Sequence, residues 1–233
     1  DIIRILGAWF GSLFGKEGKD FKSRMGAHNP DTQMGWFIIL GTMPILIAGL
    51  LFKHAIEGSL RNLWITVTVL ALFGVLLWVV DARSKQVKTM KEMTWKDALI
   101  FGIGQMLALI PGVSRSGGTI TFGRAMGYTR EAAVRVSFLM AIPAVFGAGI
   151  LEAVSAVKDV AAGDAGMFPG WGPTIAAAIV ACVVGYVVII GFLKFVSTFS
   201  YKAFAIYRIG LAIVVALLLI TGVLSPLEAA AAA

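Results

Sequence analysis

The sequence predicts an all-α, polytopic helical membrane protein that carries a re-entrant hairpin, and three observations predict it. Of 233 residues, 58% are hydrophobic and only 14% charged, with a mean hydropathy of +0.87. Soluble domains carry about 25% charged residues, so this chain has too few to cover its surface against water. Long apolar runs alternate with short loops that hold most of the Lys and Arg. One apolar run, residues 98–110, is interrupted only by Gln105 and is too short to cross a bilayer. A run of about 10–14 apolar residues reads as a re-entrant or buried segment rather than a span. Backbone that breaks its helix at membrane depth survives only inside protein or along a water-filled cavity.

Taken in order, residues 1–16 place Ile2, Ile3, Leu6, Trp9, Phe10, Leu13 and Phe14 broadly on one helical face. Such a helix leaves the membrane or lies in its interface. Residues 16–33, with Lys16, Lys19, Lys22 and Arg24, form a cytoplasmic loop. Residues 35–52 make a first span with Pro44 as a tolerated kink, and residues 62–80 make a second. The loop 81–96 holds Arg83, Lys85, Lys88, Lys91 and Lys96, the densest basic stretch, and two spans put it on the same side as the first loop. Arg130 and Arg135 follow the 98–127 unit, and the positive-inside bias is kept only if that unit enters and returns on one side. Residues 136–157 then run outward to a loop with Lys158, Asp159 and Asp164, residues 174–193 return, and residues 203–224 leave again. The expectation is five full spans and one hairpin over residues 97–127. The net charge of +7 therefore reports membrane topology, and no motif points to nucleic acid.

Within the hairpin, Pro111-Gly112-Val113-Ser114-Arg115-Ser116-Gly117-Gly118-Thr119 concentrates an arginine, hydroxyls and glycines in a hydrocarbon setting. Gly112, Gly117 and Gly118 let the backbone turn tightly and approach a ligand. A helix restarting near Ser116 offers free N–H groups and a positive dipole end. Arg115 adds a planar cation suited to phosphate oxygens, and Ser114, Ser116 and Thr119 add hydroxyl donors. The combination is an anion cradle for phosphate or pyrophosphate. The bland alternative is a capped helix break, but an arginine at bilayer depth points to function.

Other polar residues invite plainer readings. Gln105 precedes the loop and either faces its cavity or bonds a neighbouring helix. Arg124 ends the second arm or snorkels to the cytoplasmic surface, and Arg208, one turn inside the last span, is expected to snorkel. Ser137 caps a span, Glu152 has no assigned role, and Cys182 is a small buried hydrophobe. His28 and His54 lie in polar loops without metal-ligand spacing.

The run Gly104-Gln105-x-Leu107-Ala108-Leu109-x-Pro111-Gly112-x-Ser114-Arg115-Ser116-x-x-Thr119, followed by Ser137-Phe138-Leu139-x-x-Ile142-Pro143 and Phe204-Ala205-Ile206-Tyr207-Arg208, resembles the undecaprenyl pyrophosphate phosphatase family of the bacitracin-resistance type. The match runs from Asp1 to about Gly222 and looks nearest to actinobacterial members. The resemblance implies a transporter-like fold of inverted repeats, with hairpins meeting near the midplane. It implies hydrolysis of undecaprenyl pyrophosphate to the monophosphate in the bacterial cytoplasmic membrane, with the lipid as substrate and a homodimer as one assembly. Arg115, Ser114, Ser116 and Thr119 take the catalytic roles, while Gly112, Gly117, Gly118 and Gln105 contact substrate. The family pattern also implies a first hairpin before Asp1, with a Glu-x-x-x-Glu pair, a Pro-x-Ser-Ser-x-Gly-His segment and the ligands for Mg or Ca. On that expectation this chain alone is inactive and holds no metal ligand. The rival reading is a transporter or flippase for a phosphorylated lipid, which moves the anion without cleaving it.

Overall fold

A computed structural model describes residues 2–16, 18, 20–162 and 169–226. Lys19 and Asp164 lie outside the described residues. Ten α-helices follow one another in the described chain: α1 (Ile2–Leu13), α2 (Phe21–Arg24), α3 (Pro30–Leu51), α4 (Lys53–Glu57), α5 (Leu63–Arg83), α6 (Trp95–Met106), α7 (Arg115–Ala125), α8 (Arg130–Ala161), α9 (Trp171–Thr198) and α10 (Lys202–Ile220). Five of them, α3, α5, α8, α9 and α10, are long and apolar enough to cross a membrane, at the expected places.

Their starts are set by local chemistry. Asn29 caps α3 by accepting from the Asp31 N–H at 2.9 Å, and Pro30 occupies the first helical position. The expected loop therefore ends several residues sooner. Asn62 caps α5 by accepting from the Trp64 N–H at 2.8 Å. Helix α8 begins at Arg130, where the Thr129 hydroxyl accepts from the Ala132 N–H at 3.2 Å. Ser137 thus lies inside the helix, buried, and does not cap it.

The chain divides into two compact units, residues 1–141 with 200–233, and residues 142–199. In the second unit α9 exposes its apolar side chains almost throughout. Cys182 is exposed there, contrary to expectation, because this helix turns hydrocarbon outward and carries no core of its own. In the first unit α1 packs on α3 through Trp9, which sits against Gly35 and makes an edge contact with Trp36 at 5.6 Å. Ile3, Leu6, Phe10 and Phe14 are left exposed, which suits an interfacial helix. Small residues bring the larger helices together. A Cβ at Gly102 of α6 would lie 2.3 Å from the Gly41 carbonyl of α3. Helices α5 and α10 share a core of Val67, Ala212 and Leu219.

Helices α6 and α7 form a hairpin whose ends are stitched together. The Val87 and Lys88 N–H groups donate to the Gly127 carbonyl, both at 3.0 Å, and the Thr129 N–H returns to the Lys88 carbonyl at 2.9 Å. Tyr128 and Phe101 are fully buried and meet edge-on at 5.1 Å. The Tyr128 hydroxyl donates to Asp97 at 3.0 Å, and Lys88 stands 3.5 Å from the same carboxylate. Burial, then the bond to Asp97, pushes the Tyr128 hydroxyl far above its ordinary value. Burial raises Asp97, but bonds from the Thr94 hydroxyl and N–H, the Tyr128 hydroxyl and the Lys88 charge outweigh it and hold the carboxyl low. Thr94 and Asp97 also cap each other at the start of α6.

A second anchor corrects two expectations. Asp81, read as the first residue of a basic loop, is buried in the last turn of α5. It accepts from Arg124 Nε at 2.8 Å, Arg130 Nε at 3.0 Å and the Tyr201 N–H at 3.2 Å. Arg124 is fully buried and also donates to the Tyr128 carbonyl, so it does not snorkel. The reason is electrostatic: a carboxylate within bonding distance replaces the water that snorkelling would seek.

Candidate functional site

The hairpin tip runs from the 3-10 turn Leu107–Leu109 through Pro111 to the start of α7. Gly112 takes φ +99°, and a Cβ there would lie 2.4 Å from the Thr66 carbonyl of α5. The close approach seen here is to a neighbouring helix. Gly118 plays the same part between the arms, where a Cβ would meet the Gly104 carbonyl at 2.4 Å.

Ser114 caps α7 with φ +68° and ψ +125°, a left-handed conformation that a residue with a Cβ adopts only under strain. Its Oγ accepts from the Gly117 N–H at 3.3 Å, and its carbonyl accepts from the Gly118 N–H at 2.8 Å. The N–H groups of Arg115 and Ser116, the first two of the helix, have no partner among the described residues. Ser114 is exposed, whereas Arg115, Ser116 and Gly117 are half-buried. Arg115 pairs with no carboxylate among the described residues, and the Ser116 hydroxyl has no partner there. An unneutralised guanidinium, two hydroxyls and two free N–H groups at a helix N-terminus make an anion-binding surface.

Two further expected contact residues are fully buried. Thr119 is fully buried, and its hydroxyl donates to the Arg115 carbonyl at 2.7 Å. It braces the first turn of α7. Gln105 is fully buried, and neither its Oε1 nor its Nε2 has a partner among the described residues. The helix–helix bond that would explain this glutamine is therefore not made among the described residues, and leaving a buried amide unmet costs about 1–3 kcal/mol.

Sequence reasoning placed Arg208 in the last-span motif but expected it to snorkel and missed its partners. It lies on α10 at 9% exposure and donates through Nη2 to the Gly112 carbonyl at 2.5 Å and the Val113 carbonyl at 2.9 Å. Its long stem does not snorkel, because the tip carbonyls supply the polar contacts that a water surface would offer. The available signal was an arginine placed in an apolar helix beside Tyr207.

Among the described residues no three His, Cys, Asp or Glu side chains come together as a metal site would need. The donors at the tip are cationic or N–H groups, which fit an anion and not a divalent cation.

Comparison with known proteins agrees with this chemistry. A family profile described as bacitracin resistance protein BacA matches residues 1–214. An undecaprenyl-diphosphatase of Bifidobacterium adolescentis is 91% identical over 233 residues, covering 100% of this chain and 79% of the relative. One from Bifidobacterium animalis subsp. lactis is 75% identical over 228 residues, covering 98% and 77%. One from Pseudarthrobacter chlorophenolicus is 50% identical over 226 residues, covering 97% and 77%. The actinobacterial affinity expected from the sequence is therefore met. With a buried-arginine hairpin, five membrane-length helices and relatives this near, the chain is a multi-pass membrane protein of the BacA bacitracin-resistance family.

Proposed function

We propose that this protein hydrolyses undecaprenyl pyrophosphate to undecaprenyl phosphate and inorganic phosphate in the bacterial cytoplasmic membrane, and that the α6–α7 tip holds the pyrophosphate. The observation that carries the reading is Arg115 beside two N–H groups that are free among the described residues, where no carboxylate neutralises it either. The relatives named undecaprenyl-diphosphatase support the substrate, and the apolar helices support a lipid that stays in the bilayer while its headgroup reacts.

In this reading the hairpin is re-entrant. Its ends are bonded to each other at the level of Asp81, while its tip meets Thr66, fifteen residues earlier on α5. At a rise of about 1.5 Å per residue the hairpin climbs about 22 Å, most of a hydrocarbon core about 30 Å thick. The tip then opens toward the outer face. Arg115 clamps the phosphates bidentately, the Arg115 and Ser116 N–H groups and the Ser114 and Ser116 hydroxyls orient their oxygens, and all five gain strength as negative charge develops on them. Thr119 and Gly118 hold the first turn in place. The tip residues hold the phosphates through cationic, hydroxyl and N–H donors.

Phosphate release from undecaprenyl pyrophosphate in detergent, with magnesium or calcium present and the protein as its gene encodes it, tests the reading. Arg115→Ala removes turnover, and Arg115→Lys, which keeps the charge but not the fork, lowers it by about 10²-fold or more. Full turnover in Arg115→Ala overturns the clamp.

A further inference from the structure

We propose that Arg208 is the positioning residue of this site, holding the strained tip by its two carbonyl bonds and lending it a second uncompensated positive charge that selects pyrophosphate over phosphate. The inference rests on the phosphatase reading for its ligand class, but its observations are separate. Arg124 shows how this fold treats a buried arginine that serves structure alone: a carboxylate, Asp81, stands 2.8 Å away. Arg208 is also buried and receives none among the described residues. Among the described residues its Nη2 is met only by the Gly112 and Val113 carbonyls, and its Nε is buried without a partner. Carbonyl dipoles satisfy a hydrogen-bond donor but do not cancel a full charge, and a lone cation at this depth is costly.

The placement gives that charge a use. A Cβ at Gly117 would lie 2.9 Å from Arg208 Nη1, so the guanidinium lies along the first turn of α7, beside the free N–H groups. By holding the Gly112 and Val113 carbonyls, Arg208 also ties up two acceptors that would otherwise repel an incoming anion. The same two bonds fix the residues just before Ser114, whose φ of +68° persists only when its surroundings over-determine it. Arg115 and Arg208 together present two positive charges. A pyrophosphate ester can satisfy both, whereas a monophosphate carries less charge and leaves more readily.

Arg208→Gln keeps an amide donor for one carbonyl and removes the charge. Binding of inorganic pyrophosphate and inorganic phosphate is measured by calorimetry on the folded protein in detergent, at two ionic strengths, beside turnover of the lipid substrate. The expected result is pyrophosphate affinity lower by about 10²-fold, a smaller loss for phosphate, a shallower salt dependence and a lower kcat. Folded Arg208→Gln with wild-type pyrophosphate affinity and salt dependence overturns the proposal, even if its Tm is lower, because that is the signature of a structural role. Should this variant not fold, Arg208→Lys is read the same way, with about 10-fold weaker pyrophosphate binding expected and unchanged binding overturning it. Arg208-dependent pyrophosphate binding in a protein that does not hydrolyse the lipid sinks the phosphatase reading and leaves this one standing. Hydrolysis indifferent to Arg208 does the reverse.

Discussion

Asp81→Asn tests the anchor that fixes the hairpin base to the rest of the first unit. Asp81 accepts from Arg124, Arg130 and the Tyr201 N–H, and so joins α5, α7, α8 and the start of α10. Arg130 is 22% exposed at its side chain and can turn to water when the carboxylate charge goes. Arg124, at 0%, cannot, and keeps only the carbonyls of Tyr128 and residue 81. Breaking a buried pair in this one-sided way costs about 3–5 kcal/mol. For a chain of this length each kcal/mol moves Tm by about 2–4 °C, so the expected fall is about 6–20 °C. The assay is thermal unfolding in one detergent followed by intrinsic tryptophan fluorescence. Replacing both partners, Asp81→Leu with Arg124→Met, removes the orphaned charge and should recover most of the loss. A shift below about 2 °C for Asp81→Asn, or a double variant no better than the single, refutes the reasoning.

Ser114→Gly relaxes the left-handed φ, a gain of about 1–3 kcal/mol against a few tenths lost from the helix cap. Its Tm should rise while phosphate release falls, and an unchanged Tm would show that the tip holds no strain. Gly118→Ala places a methyl 2.4 Å from the Gly104 carbonyl, a backbone atom, so the arms must part. A loss of about 1–3 kcal/mol with impaired turnover is expected, measured by the same unfolding assay. Asp97 titrates below its ordinary value in the folded state, so its contribution is complete above the ordinary value of about 3.9 and disappears as pH falls through the lower folded one. The Tm difference between wild type and Asp97→Asn should therefore be constant from pH 5 to 7, about one unit or more above that ordinary value, and close at lower pH; a difference that widens toward pH 3 contradicts the sign.

The spans were legible because hydropathy alone reports them, and the positive-inside bias of the loops suggested a hairpin whose ends the structure brings together. The polar tip was legible as well, since glycines, hydroxyls and an arginine have no other business in an apolar run. What escaped was pairing across the chain. Asp81 lies 43 residues from Arg124, and Arg208 lies 96 from Gly112, so neither partner is visible in a local window. Arg208 was assigned to the membrane surface, and Arg124 to that surface or to the end of the second arm, because snorkelling is the default when no partner can be seen. Nor could the sequence show that the Thr119 hydroxyl bonds the Arg115 carbonyl or that Gly112 packs on Thr66. A motif names residue types, while the helical turn and the neighbouring α5 decide which of them face inward.

The most direct measurement is an experimental structure of the protein with a non-hydrolysable undecaprenyl methylene-bisphosphonate. The account predicts phosphonate oxygens about 3 Å from the Arg115 guanidinium and from the Arg115 and Ser116 N–H groups. A headgroup bound elsewhere in the chain, with Arg115 turned to a carboxylate, would contradict it.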